Sequence, residues 1–210
     1  MTERVVLLHG IWNHTPVLWP LAERLRAAGF EAETFGYPSV LGGAEWAARR
    51  LAERLRADER RGRPAAHLVG HSLGGLVSLL AAHDPELPVR RIVCLGSPLN
   101  GSAAARAVHR HGLTFGMGRS ARVLLKGLEQ VPAQREVGAI AGTFELGLGR
   151  MLRTFDGPHD GTVAVAETRL PGLVDHTEVR ASHMGLLVSR QAAEAVANFL
   201  RMGRFGGRSA

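Results

Sequence analysis

At 210 residues the chain suits one domain that buries roughly 70% of the surface its unfolded form exposes, so neither disulfides nor a metal are needed for stability. The single cysteine, Cys94, excludes an intrachain disulfide, and its place in the apolar run Arg91-Ile92-Val93-Cys94-Leu95 predicts a small buried hydrophobe, not a reactive thiol. The formal charge of +7 is carried by 26 basic residues, 25 of them arginine, spread along the chain beside 19 acids and without interleaved aromatics, which argues against a nucleic-acid partner.

In chain order, Val5 to Leu8 reads as a buried strand. It is too short for a secretory apolar region, and no stretch is long enough to span a bilayer, so a cytoplasmic protein without a transmembrane segment is expected. His9-Gly10-Ile11 follows this strand. A helix is predicted over Val17 to Ala28, with Pro16 and Pro20 near its start and Gly29 just past its end. Ala32 to Phe35 gives a second strand and Ala44 to Glu59 a second helix. The densest basic run, Arg49 to Arg63, sets seven arginines against Glu53, Asp58 and Glu59, with Ala47, Leu51 and Leu55 on one stripe. That pattern fits a solvated helix face; the alternative is a basic patch attracting anionic lipid or an acidic substrate.

Strands are predicted over Ala66 to Val69, Arg91 to Leu95, Val137 to Ala141 and Leu173 to Arg180, and helices over Leu73 to His83 and Gly185 to Leu200. Apolar runs alternating with amphipathic stretches imply an α/β fold: about six mostly parallel strands with helices on both faces, in one domain over residues 1–203. Two stretches break the alternation, Asn100 to Glu136 and Gly142 to His159. Residues 100–136 could form a small cap. Leu113, Phe115, Met117, Val123, Leu124, Leu125 and Leu128 would line a pocket there, or would equally pack a short helix on the sheet. The tail beyond Gly203, residues 204–210, is expected to fray.

Gly70-His71-Ser72-Leu73-Gly74 is the most informative segment. It places a serine between two glycines, directly after the strand Ala66 to Val69 and directly before Leu73, Leu76, Val77, Leu80 and Ala81 at helical spacing. A sharp strand-to-helix turn of this kind lifts the serine hydroxyl above the sheet and leaves room only for glycine at Gly70 and Gly74. His71 and Leu73 fill variable slots of the turn.

In these residues, extended to Gly75, the chain resembles the α/β-hydrolase superfamily and its bacterial lipase and esterase branch, and the likeness runs from Val5 through Phe199. The resemblance implies a compact α/β-hydrolase fold and a serine hydrolase cleaving carboxylic esters through an acyl-enzyme. A thioesterase or acyltransferase using the same residues, an amide hydrolase and a silent binding module are the alternatives.

In such enzymes the chain order is nucleophile, acid, base. Ser72 would be the nucleophile. His183, in the loop Ala181-Ser182-His183-Met184-Gly185 before the last helix, stands where the family's base resides; His176, near the start of the last strand, is the competitor. Asp160 opens Asp160-Gly161-Thr162-Val163, similar to the Asp-Gly-x-Val turn of lipases, and is preferred as the acid over Asp156 and then Asp175. The long excursion before Asp160 leaves its reach to His183 open.

By the same resemblance the backbone N–H groups of Ile11 and Leu73 form the oxyanion hole, with His9 anchoring its loop through a hydrogen bond. Trp12 could line the acyl pocket with Leu124 and Leu125, or pack the first helix. No cofactor and no metal are expected. The implied partner is a small-molecule or lipid ester, with peripheral contact to an anionic lipid surface as a further expectation.

Overall fold

A computed structural model of the chain describes residues 2–145 and 157–206. Six strands, β1 (Arg4–Leu8), β2 (Glu31–Phe35), β3 (Ala66–His71), β4 (Val89–Leu95), β5 (Val137–Gly142) and β6 (Asp175–Val179), form one parallel sheet in the order β2-β1-β3-β4-β5-β6. The winding reverses at β1. β2 lies on one side of it and β3 on the other, so the loops leaving the carboxyl ends of β1 and β3 diverge and open a crevice between them.

The four inner strands are largely buried on both faces, the edge strands β2 and β6 only in part, and the period-2 alternation of strand side chains explains how. Val5, Leu7, Val69, Val93, Leu95 and Ile140 point to one face, where they meet Leu21 and Leu25 of α1 (Trp19–Ala27) and Val196, Phe199 and Leu200 of α6 (Arg190–Met202). Val6, Leu8, Leu68, Ile92, Cys94 and Ala139 point to the other, against Leu51 and Leu55 of α2 (Ala44–Arg60) and Leu76 and Val77 of α3 (Leu73–Ala81). Cys94 is fully buried there, and burial pushes its thiol up to about 12, so it behaves as a small hydrophobe.

Most helix ends fall within a few residues of expectation, and the exceptions have local causes. The first helix opens with a 3-10 turn over Thr15–Leu18 before α1. The last is broken: Gly185–Leu187 forms a single 3-10 turn, and α6 starts afresh where the Ser189 hydroxyl accepts from the Ala192 N–H at 3.2 Å. β6 is shorter than Leu173 to Arg180. Of the tail, residues 204–206 are described. Phe205 is buried, its ring lies 4.8 Å from that of Phe199, and its N–H donates to Asp175 Oδ2 at 2.8 Å, so the chain stays pinned beyond Gly203.

Four of the seven arginines between Arg49 and Arg63 are paired with acids. Arg50 pairs with Glu53 at 2.6 Å, Arg54 with Glu33 at 2.6 Å, Arg63 with Glu31 at 2.6 Å, and Arg56 with Asp84. Beneath them Arg4 is buried against Glu33 and Asp58, each at 2.7 Å. Arg49, Arg60 and Arg61 of the same run are exposed and make no ion pair among the described residues.

Between β4 and β5 the chain adds α4 (Ala103–Arg110), a kinked 3-10 stretch over Thr114–Ser120 and α5 (Ala121–Lys126). Ala105, Met117, Val123 and Leu124 join the core on the α2 and α3 face.

Candidate active site

Ser72 sits where β3 ends and α3 begins, with φ 55° and ψ −120°, a left-handed conformation that a side-chain-bearing residue adopts only under constraint. The constraint is visible. Ser72 N–H donates to Leu95 O at 2.9 Å, a Cβ on Gly70 would collide with the Gly74 backbone, and one on Gly74 would stand 2.5 Å from Leu8 O. The strained turn thus requires glycine on both sides of the serine. It lies at the β1–β3 crevice, and the Ser72 Oγ would be 3.4 Å from a Cβ on Gly10, so the loop after β1 passes directly beside the hydroxyl.

Ile11 and Leu73 flank that hydroxyl from the two loops. Among the described residues neither backbone N–H has an acceptor, and Leu73 opens α3, whose aligned peptide dipoles favour negative charge at this end. His9 is fully buried. Its Nδ1 bonds Gly10 O at 2.9 Å, its Nε2 accepts from the Tyr37 N–H at 3.3 Å, and its ring stacks on Tyr37 at 4.3 Å. Burial holds its pKa below the usual imidazole range, so it is a neutral anchor for the loop with both nitrogens occupied.

Asp160 and His183 are brought together. Asp160 Oδ2 accepts from His183 Nδ1 at 2.7 Å, while Oδ1 accepts from the Thr162 and Val163 N–H groups at 2.9 and 2.7 Å. A second bond, His183 N–H to Asp160 O at 2.9 Å, ties the two loops through the main chain. The excursion after β5 returns to that strand's carboxyl end. A Cβ on Gly142 would lie 2.7 Å from Asp160 Cβ, and one on Gly96, just after β4, would lie 3.2 Å from Asp160 Oδ2 and 3.3 Å from His183 Nδ1. With Nδ1–H engaged by the carboxylate, the neutral imidazole keeps its lone pair on Nε2. Among the described residues Nε2 makes no hydrogen bond, so a Ser72–His183 hydrogen bond is not among the contacts formed.

The rival residues lie elsewhere. Asp175 Oδ1 and Oδ2 cap the N–H groups of His176 and Phe205 at the start of β6. His176 Nε2 meets Thr168 Oγ1 at 2.8 Å, and burial lowers its pKa to about 4. Asp156 lies outside the described residues.

His71 does more than fill a slot. It is fully buried, its Nε2 bonds the His183 carbonyl at 2.9 Å, and burial, followed by the charge of His183, pushes its pKa down to about 3, so it is neutral and donates to that carbonyl. A histidine inside an elbow motif is the only sequence signal for this contact.

A narrow cavity of about 110 Å³ adjoins Ser72, walled by Ile11, Trp12, Val108, Met117 and Leu124 and closed on one side by Gly161, Thr162 and Val163 of the acid turn. Leu125 does not line it, a correction to the sequence reading. It packs against the core instead. Leu113 and Phe115 are exposed on the outside of the cap.

Glu167 anchors the cap to the acid turn, another feature the sequence did not single out. Its Oε2 accepts from the Ala164 N–H at 3.0 Å and its Oε1 from the N–H of Ala103, the first residue of α4. A larger surface groove, about 550 Å³, lies apart from Ser72 between Glu45, His83, Arg122 and Glu129.

A parallel sheet wound both ways from β1 thus carries a strained serine over the reversal and an Asp-His pair on adjoining loops. The chain belongs to the alpha/beta hydrolase family, whose pattern it matches over residues 5–201. Among solved structures it is similar to the mature Bacillus licheniformis lipase BlEst2, with 21% identity and a TM-score of 0.77 over 97% of this chain and 92% of that one. It also resembles a Paleococcus ferrophilus monoacylglycerol lipase, at 18% identity and TM-score 0.62 over 96% of each chain, and phospholipase PlaB from Legionella pneumophila, at 15% and 0.71 over 97% of this chain and 61% of that one. Comparison with curated proteins yields no significant match.

Proposed function

We propose that the protein is a serine hydrolase of carboxylic esters working through an acyl-enzyme. The observation that carries this reading is the Asp160–His183 pair, hydrogen-bonded at 2.7 Å, beside a strained serine that opens into an apolar cavity. Structural neighbours named as lipases and a phospholipase support an ester as the substrate class.

In the reaction His183 Nε2 takes the Ser72 proton as Oγ attacks the ester carbonyl, and the Ser72–His183 hydrogen bond forms with substrate in place. Negative charge developing on the carbonyl oxygen meets the free N–H groups of Ile11 and Leu73. Asp160 holds the Nδ1–H tautomer and stabilises the imidazolium. The proton then passes from His183 to the leaving alcohol, and water attacks the acyl-enzyme by the reverse of the same transfers. No step calls for a cofactor.

The test is a panel of nitrophenyl esters from acetyl to palmitoyl, assayed below and above micelle formation, with fluorophosphonate labelling in parallel. Ser72→Ala is expected to abolish labelling and to lower kcat by about 10⁴-fold or more with the fold intact. Undiminished hydrolysis by that variant overturns the assignment; failure of the wild-type chain to label favours a silent binding module. Acylated acceptor formed in place of free acid, with an alcohol or thiol supplied, favours an acyltransferase.

A further inference from the structure

From Gly101 to Leu128 the chain carries Arg106, Arg110, Arg119, Arg122 and Lys126 and not one aspartate or glutamate. Arg106 lies 3.7 Å from Glu167, and Arg122 and Lys126 border a groove that also contains Glu45 and Glu129. Arg110 and Arg119 are exposed and make no ion pair among the described residues. Between these two cations stands the most exposed apolar pair of the cap, Leu113 at 52% and Phe115 at 78%.

Two further apolar side chains stand around the same turn. Trp12, 60% exposed, donates its indole Nε1–H to Gly116 O at 2.7 Å while also lining the cavity beside Ser72. Leu41, 80% exposed, follows Val40, whose carbonyl accepts from the Arg119 N–H at 3.0 Å. Single exposed apolar residues need no explanation, but four around one turn at the rim of a cavity form a patch.

We propose that this turn is a docking surface for an anionic lipid bilayer. Leu113 and Phe115 enter the headgroup region, Arg110 and Arg119 meet the lipid phosphates, and Trp12 stands where the cavity meets that surface. Indole and phenyl rings beside arginines suit the membrane–water boundary, where apolar insertion and attraction to anionic lipid add. A second copy of the chain suits it poorly, because two such faces would oppose arginine to arginine with no acid between them. The inference goes beyond the ester-hydrolase reading and stands without it.

The experiment is co-sedimentation of the Ser72→Ala chain, which leaves lipid intact, with vesicles of phosphatidylcholine alone or containing about a third phosphatidylglycerol. Partition onto the anionic vesicles is expected to exceed that onto the neutral ones at least about tenfold, and to fall about tenfold between roughly 50 and 500 mM salt. Arg110→Gln with Arg119→Gln, and separately Leu113→Ser with Phe115→Ser, should each lower it about tenfold while the melting temperature holds. Phe115→Ser alone, at the most exposed position, serves if a double variant melts early.

Equal partition onto both vesicles, or anionic binding retained by both double variants, overturns the proposal. A concentration-dependent dimer lost on Phe115→Ser, with no vesicle binding, replaces it with a self-association face. Vesicle binding by a chain whose wild type hydrolyses no ester leaves the docking surface standing and removes the hydrolase reading. Ester hydrolysis without vesicle binding does the reverse.

Discussion

The ring of His71 holds the main chain of His183: Nε2–H donates to the His183 carbonyl at 2.9 Å, and the two rings lie 4.6 Å apart. The residue before Ser72 thereby fixes the loop that carries the proposed base, while Asp160 grips the same histidine from the other side through Nδ1 and through its own main-chain carbonyl. Two separate elements therefore set where Nε2 of His183 points.

His71 acts through His183, so its loss should change turnover more than binding. His71→Ala is expected to lower kcat at least about tenfold with KM little altered, and His71→Gln, which keeps an N–H donor, to recover part of that loss. Steady-state kinetics on a soluble ester and the rate of fluorophosphonate labelling provide the readout. Equal losses in both variants, tracking equal falls in melting temperature, would reduce His71 to packing.

The same residue makes stability depend on pH. Its folded pKa is lowered to about 3 from an ordinary 6.5, so above pH 6.5 both states are neutral and stability is full. As pH falls below 6.5 the unfolded chain takes a proton that the folded chain refuses, and stability is lost progressively toward pH 3. At pH 5 His71 alone accounts for about 2 kcal/mol. Burial shifts His9, His67 and His176 in the same direction. Denaturant melts at pH 7.5 and 5 should show a smaller acid loss in His71→Gln, by about that amount.

How far the sequence could be read depended on how local each cause was. The four inner strands were legible because a sheet buried on both faces demands apolar runs such as Val5 to Leu8 and Ile92 to Leu95, and the strained turn at Ser72 was legible because it demands glycine at Gly70 and Gly74. Long-range contacts were not. Asp160 returns to the end of β5 through close packing on Gly142, Phe205 is pinned by Asp175 and Phe199, and His71 reaches the His183 carbonyl across 112 residues of chain. The cap was ambiguous for a different reason. Ala105, Met117 and Leu124 both complete the core and wall the cavity, so one apolar pattern serves two purposes.

Asp160→Asn separates the charge of the acid from its scaffold role. An asparagine oxygen can still accept from the Thr162 and Val163 N–H groups, now bonded at 2.9 and 2.7 Å, so the turn should persist. The amide cannot stabilise the imidazolium and, presenting N–H to Nδ1, favours the wrong tautomer. A kcat loss of about 10³ to 10⁴ is expected with a nearly unchanged melting temperature. Asp175→Asn, which alters only contacts to the Phe205 and His176 N–H groups, should leave kcat within about twofold and cost stability instead. Near-full activity in Asp160→Asn would transfer the acid's role to another carboxylate.

The cavity wall can be probed through the two neighbouring leucines of α5, because they are chemically identical and face different ways. Leu124 is buried and borders the space beside Ser72, whereas Leu125 is half-buried and packs on the core. Leu124→Ala should enlarge the narrow cavity and cost about 2 to 4 kcal/mol of stability, and should raise kcat/KM for butyryl and hexanoyl esters relative to acetyl by about threefold to tenfold. Leu125→Ala should destabilise less and leave the chain-length ratio unchanged. Initial rates on the three nitrophenyl esters, with melts of each variant, decide the matter. If both variants shift the ratio equally, the acyl group is bound across the whole face of α5 and not in the space that Leu124 closes.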